Sequence, residues 1–235
     1  MDQEDNCLIC EADLKYEDEC SRMICSLCGE EYESKITCVD GHYICNKCYF
    51  LSANDLIKRI CVESELENPL EMAINIMKNQ RIAMHGPQHH FMVPAVLLSS
   101  YYNLKNDLAM KEEKIKVAQE RAVNVLGGFC GFYGDCGAAV GTGIFISLVT
   151  DASPLSSYEW KLSNLMTARS LFSLAHIGGP RCCKRTTIMS IQSASLFAVE
   201  YLGIKFPGSN NIKCDFSSLN NECLFRVCPF YSENN

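Results

Sequence analysis

Beyond about residue 51 the apolar positions recur at helical spacing, whereas the first fifty residues are too polar to build a core of their own. The segment "ENPLEMAINIMKN" predicts a helix with Asn68 as its cap, Pro69 at the first helical position and Glu71 three residues past the cap. "HHFMVPAVLLSSYYNL" predicts an apolar helix from about Gln88 to Leu104, with Pro94 in its first turns or at a kink. "DLAMKEEKIKVAQERAVNVL" is more amphipathic, its charges gathered on one face. A further helix is expected from Cys136 to about Thr150. Another should start at a Ser and Glu capping pair near Ser156 and stop at Gly178-Gly179. The last long one, "CCKRTTIMSIQSASLFAVEYLGI", closes at Gly203. No segment of this region alternates as a strand does, so an all-α helical bundle domain is expected. Three parts follow: a small cysteine-rich module over 1–50, an all-α domain with a Cys/His pocket over 51–204, and an irregular cysteine-containing tail over 205–235 packed on it.

Composition changes this picture in one respect above all. Sixteen of the 235 residues are cysteine, a density that in a reducing compartment points to metal binding or redox chemistry rather than to disulfides. The net charge of −7 is uneven, because the first fifty residues hold twelve Asp or Glu against four Lys or Arg. An acidic module without a basic stripe excludes a nucleic-acid role and suits a protein partner. The start of the chain lacks the pattern of a signal peptide. The most apolar run, "GAAVGTGIFISLVT", has fourteen residues, fewer than the roughly 18–20 that span a bilayer. A cytoplasmic protein with no membrane partner is expected.

Eight cysteines precede residue 50. Cys7 with Cys10, Cys25 with Cys28, and Cys45 with Cys48 are pairs with two-residue gaps, and Cys38 with His42 makes a fourth. Such a gap lets one tight turn aim both ligands at one ion, and four ligands complete a tetrahedral zinc site. Four pairs predict two zinc ions in a RING-like or treble-clef module, with Cys20 left over. The spacing leaves cross-braced and sequential pairings both open.

The helical domain carries its unusual segments at helix starts. They are "HGPQHH" with His85, His89 and His90; "GGFCGFYGDCGAAVGTG" with Cys130 and Cys136; and "GGPRCCKR" with Cys182 and Cys183. Helix N-termini offer free N–H groups and partial positive charge, which hold anions and lower the pKa of a nearby thiol. These three starts could converge on one catalytic pocket, with Arg181, Lys184 and Arg185 favouring thiolates or a small anionic ligand. Alanine and glycine at 138, 139 and 141 are expected to serve close helix packing. In the tail, Cys214, Cys223 and Cys228-Pro229 form a C-x8-C-x4-C-P string that suits a second metal or an iron–sulfur cluster, its fourth ligand coming from Cys182 or Cys183.

The motifs "HGPQHHFMVPAVLL", "GGFCGFYGDCGAAVGTGIF" and "GGPRCCKR", with the cysteine-rich start and the "CPFY" end, resemble an uncharacterised family of unknown function from methanogenic and other anaerobic prokaryotes. That resemblance spans nearly the whole chain and implies an anaerobic cytoplasm without supplying an activity. The run from Cys136 to Gly141 is also similar to the helical, redox-associated C-GCAxxG-C-C family. The leading expectation is therefore a zinc-bearing protein whose helical Cys/His site does thiol or iron–sulfur redox chemistry. The alternatives are a non-catalytic adaptor that docks a protein and binds a small anion, and group transfer at a zinc thiolate.

Overall fold

The structure, a computed structural model, describes residues 7, 9–10, 12–45, 48, 52–208 and 212–234. The expected boundary near residue 50 lies outside them. Two regions differ in kind. The first is an antiparallel hairpin of β1 (Leu14–Ile24) and β2 (Glu31–Cys38), paired from Leu14 opposite Cys38 to Ile24 opposite Glu31, with a bulge between Tyr16 and Ser21. Both strands are mostly exposed, and the buried cluster beside them consists of Cys25, Cys45 and Cys48 with Leu27, Tyr32 and Tyr43 against it. A hairpin without an apolar face is marginal by itself; this one is built around its candidate ligands.

The rest of the described chain is mainly helical. It comprises α1 (Ala53–Glu63), α2 (Pro69–Met77), α3 (Gln88–Lys105), α4 (Leu108–Ala122), the single turn α5 (Phe129–Phe132), α6 (Gly137–Val149), α7 (Tyr158–Ile177) and α8 (Cys183–Leu202). Asn68 caps α2 as expected, its side chain accepting from the N–H groups of Leu70 and Glu71. Gly203 closes α8 in the left-handed region, at φ 66°, where a side chain would be strained. The start of α7 differs from expectation. Ser157 stands at the cap with no side-chain bond, while Ser156 turns back to receive the N–H of Ser153. That local bond competes for the hydroxyl and leaves the helix uncapped.

Helix α3 is central and buried along nearly its whole length, packing against α1, α2, α4, α6 and α8. Its Phe91, Leu97 and Leu98 are fully enclosed, each contributing roughly 1.5–3 kcal/mol by burial. Pro94 lies inside it, which leaves the His90 carbonyl without its helical donor. Gly141 of α6 approaches that spot so closely that a Cβ there would lie 2.8 Å from the His90 oxygen and from Pro94 Cδ. Small residues in α6 thus permit the α3–α6 contact. The tail returns to the same core: Ile212, Phe216 and Phe230 join its buried cluster, and Cys214 N–H donates to the Phe230 carbonyl at 2.7 Å.

Candidate metal centres

The hairpin register decides how the N-terminal ligands pair. Leu14 opposite Cys38 sets the segment carrying Cys7 and Cys10 beside Cys38 and His42. Beyond His42 the chain reaches the hairpin tip, where the Tyr43 carbonyl accepts from Ser26 N–H at 2.8 Å. Cys45 and Cys48 there meet Cys25 and Cys28. Counted in chain order, the first pair therefore groups with the third and the second with the fourth, which is the cross-braced arrangement. Each turn closes on a glycine with positive φ: Gly29 donates to the Cys25 carbonyl and Gly41 to the Cys38 carbonyl, both at 2.8 Å.

Both groups could hold a metal ion. In the first, Cys10 Sγ lies 3.6 Å from Cys38 Sγ, and His42 Nδ1 lies 3.3 Å and 3.4 Å from those sulfurs. In the second, Cys28 and Cys45 sulfurs are 3.9 Å apart. Tetrahedral thiolates on one zinc ion sit about 3.8 Å apart for metal–sulfur bonds of about 2.3 Å. Backbone donors prepare one sulfur of each group for that state, while burial and neighbouring thiols push Cys10, Cys28 and Cys48 upward. Burial raises the thiol of Cys25, but the N–H groups of Cys45, Leu27 and Cys28 outweigh it and bring it down to about 7. At Cys38 the N–H groups of His42 and Asp40 likewise overcome burial, again to about 7. Arg59 of α1 donates to Cys48 Sγ at 2.9 Å and to Glu63 at 3.0 Å, tying the helical region to the second group. Cys20 is exposed on β1 and belongs to neither.

In the helical region the starts of α3, α6 and α8 do meet. Gly86 N–H, from the turn before α3, points at Cys183, which also feels Cys136 and Cys130. Cys136 stands at the cap of α6 without a side-chain cap bond, and the nearby N–H groups of Ala138 and Ala139 and the Thr186 side chain favour its thiolate. Cys130 is exposed. The expected low thiol pKa does not follow. Burial pushes Cys136, Cys182 and Cys183 upward despite their helix-end donors, because removing a thiolate from water costs more than those donors return.

The three histidines are engaged elsewhere. His89 is buried and neutral, its pKa lowered by burial to about 3; Thr187 donates to Nδ1 and Nε2–H donates to the Ala83 carbonyl. His90 donates to the Val125 carbonyl at 2.9 Å, and its ring fills the space a Cβ on Gly137 would need. His85 lies 3.2 Å from both Asn220 and Glu222 of the tail.

A second cluster lies on the other side of the start of α8. Cys182, Cys214, Cys223 and Cys228 line one small pocket. Burial raises the Cys214 thiol, and Cys182, Cys228 and Cys223 add to it as neighbours. Arg185 also lines this pocket, its Nη2 held at 2.9 Å from each of the Gly178 and Pro180 carbonyls. Lys184 is buried between the Met77 and Ile82 carbonyls and sits 4.7 Å over the Phe216 ring. Arg181 is exposed. So Cys182 and Cys183, adjacent in the chain, face two different thiol groups.

The family of unknown function DUF5714 matches residues 57–231. The chain belongs to that family. No curated protein and no solved structure matches it. The match starts within α1, so DUF5714 takes in every cysteine of the helical region and the tail, while both N-terminal groups lie ahead of it. Among the described residues no helix is long and apolar enough to cross a membrane.

The pairing of the N-terminal ligands and the hairpin between them are what sequence reasoning left open or missed. Leu14 opposite Cys38 depends on register, and "LKYEDECSRMI" carries no apolar alternation that would announce a strand. Arg59 was also missed; a cation eleven residues past Cys48 gives no signal until α1 folds back on the module.

Proposed function

We propose that this DUF5714 protein is a metal-dependent redox protein of an anaerobic cytoplasm. Zinc fills both N-terminal groups, and the helical cysteines perform thiol or iron–sulfur chemistry. The observation that carries this reading is the back-to-back arrangement at the start of α8. Cys183 has Cys136 and Cys130 as electrostatic neighbours, and Cys182 shares a pocket with Cys214, Cys223 and Cys228. Seven thiols around one helix end exceed what packing requires, and a reducing compartment keeps them available.

The N-terminal groups each present four protein ligands with sulfur spacings suited to a single ion. A site closed in this way has no open position for a substrate, so zinc braces the module and does no group transfer there. The hairpin also exposes Tyr16, Ile24, Ile36 and Val39 among its acidic residues, which favours docking of a protein partner by the module. Lys184 and Arg185 are already bonded to carbonyls, which gives the small-anion alternative less support.

The test is purification without oxygen, with zinc, iron and sulfide measured on the same sample and thiols counted before and after a mild oxidant. Two zinc ions per chain, together with iron or with a reversible change in the helical thiols, are expected. Zinc alone, with helical thiols that neither bind iron nor respond to oxidant, would remove the redox reading.

A further inference from the structure

The pocket at the foot of α8 shares three features with a thiolate-bound inorganic centre, and each is independent of the others. The first is where backbone donors point. Arg185 N–H donates to Cys182 Sγ at 3.4 Å, Phe216 N–H to Cys214 Sγ at 3.4 Å and Phe225 N–H to Cys223 Sγ at 3.3 Å. The last two repeat the local geometry of the N-terminal ligands, where Ile9 and Asp40 donate to the sulfurs two residues before them, Cys7 and Cys38. A neutral thiol is a weak acceptor, and N–H groups aimed at sulfur are worth most when that sulfur carries charge.

The second feature is charge. Lys184 and Arg185 are both buried, and among the described residues neither is paired with a carboxylate. Their head groups meet carbonyl oxygens and, for Lys184, the face of the Phe216 ring, which solvates a cation without neutralising it. A buried charge without a counter-charge is costly. Four thiolates around a dicationic core leave two negative charges, and these two side chains supply two positive ones.

The third is spacing. The ligand atoms of each N-terminal group lie within 4.8 Å of one another, and no three of the four pocket sulfurs do. One ion needs sulfurs about 3.8 Å apart; a cluster of several metal atoms holds its thiolates further apart. The rest of the wall is largely apolar, with Met84, Ile188, Leu224 and Phe230 beside Arg185, Ser217 and Asn220, and low polarity around the sulfurs is one of the means by which a protein sets a cluster's potential.

We propose that Cys182, Cys214, Cys223 and Cys228 ligate an iron–sulfur cluster, with Lys184 and Arg185 as the buried counter-charges. This rests on the redox reading of the helical region and names its cofactor and ligands. Cys182 comes from the cap of α8 and the other three from the tail, so the cluster stitches the tail to the helical core.

The test uses the full chain purified without oxygen. Iron and sulfide in equal amounts are expected beside two zinc ions, with visible absorption that bleaches on reduction by dithionite. Cys214→Ser and Cys228→Ser should lose most of the iron, the sulfide and the colour while keeping both zinc ions; Cys20→Ser should keep everything. Alkylation of the native wild-type chain, mapped by mass spectrometry, guards against variants that fail to fold. Cys182, Cys214, Cys223 and Cys228 should resist labelling until the iron is chelated, whereas Cys130 labels at once. Lys184→Met should retain the cluster and shift its midpoint potential to lower values, because a nearby cation favours the reduced form. A third zinc ion without iron, or ready labelling of all four cysteines in the iron-loaded chain, would overturn the proposal. Iron lost on Cys130→Ser or Cys136→Ser and kept in the tail variants would also overturn it, yet leave the redox reading standing. Absence of iron together with inert helical thiols would end both.

Discussion

The two cysteine-rich regions gather their thiols by opposite routes. In the N-terminal module the ligands come in pairs only two or three residues apart, and the polypeptide between them has almost no core besides the sulfurs. In the helical region a large apolar core forms first, and thiols distant in sequence meet because helices and tail pack onto it. On the proposed reading the module would depend on its metal for folding, whereas the helical region brings its cysteines together by folding. This difference teaches where spacing is informative: a local motif encodes a local site, and a dispersed site is encoded in the packing that assembles it.

The largest expected effect breaks the module alone. Structural zinc can contribute on the order of 10 kcal/mol to a small domain, and Cys25, Cys45 and Cys48 are themselves the buried cluster. Cys45→Ser, or a strong chelator, should therefore unfold residues 7–48 and leave the helices intact. Limited proteolysis combined with far-UV circular dichroism reads both parts at once. A collapse of helical signal in step with the module would show that the two regions do not differ in this way.

The converse substitution strikes the helical region. A methyl group on Gly141 would meet the His90 carbonyl and Pro94 Cδ, each at 2.8 Å, and backbone cannot move aside cheaply. Overpacking of this kind costs about 1–3 kcal/mol. Gly141→Ala should lower the free energy of helical unfolding by that amount, seen as a lower urea midpoint, and leave zinc content unchanged. A midpoint equal to wild type would mean that α6 can slide away from α3.

These two sites also show what could be read in advance. Asn68-Pro69 and Gly203 marked helix ends because capping and left-handed backbone are local demands, met by the side chain or its absence. The two-residue gaps marked the N-terminal ligands for the same reason. Which pairs share an ion could not be read, because the register of β1 on β2 settles it and neither strand has an apolar face to declare that register. The assembly of Cys182 with the tail was legible only as one choice between two adjacent cysteines; it depends on Phe216 and Phe230 entering the core. Helix-end position suggested low thiol pKa values at Cys136 and Cys183, and burial, which sequence does not reveal, reverses the direction.

A smaller effect separates the regions by their response to acid. His89 is buried in neutral form with its pKa near 3, while in the unfolded chain it titrates near its ordinary value of about 6.5. As pH falls below about 6.5 the unfolded state gains a proton that the folded state refuses until about 3. Stability present above 6.5 is therefore lost through that window, with a slope of up to about 1.4 kcal/mol per pH unit. His89→Gln keeps polar contact with Thr187 and Ala83 and has nothing to titrate. Its helical unfolding free energy should vary less with pH between 6.5 and 4 than that of wild type. Parallel curves would show that other groups carry the acid sensitivity.

The smallest effect tests the link between the regions. Arg59 sits on α1 yet donates to Cys48 at 2.9 Å, so a helix of the core supplies a charged hydrogen bond to a ligand of the module. An outer partner of this kind typically changes metal affinity by about 10- to 100-fold when removed. Here the guanidinium is partly exposed and shared with Glu63, so screening by solvent places the expected change at the lower end, about tenfold. Arg59→Met should speed release of one of the two zinc ions to a chromogenic chelator and leave the other rate unchanged. Equal acceleration of both would mean that the sites loosen together as one braced unit. No acceleration would mean that the module holds its metal without help from the helices, and the contrast between the two regions would then be complete.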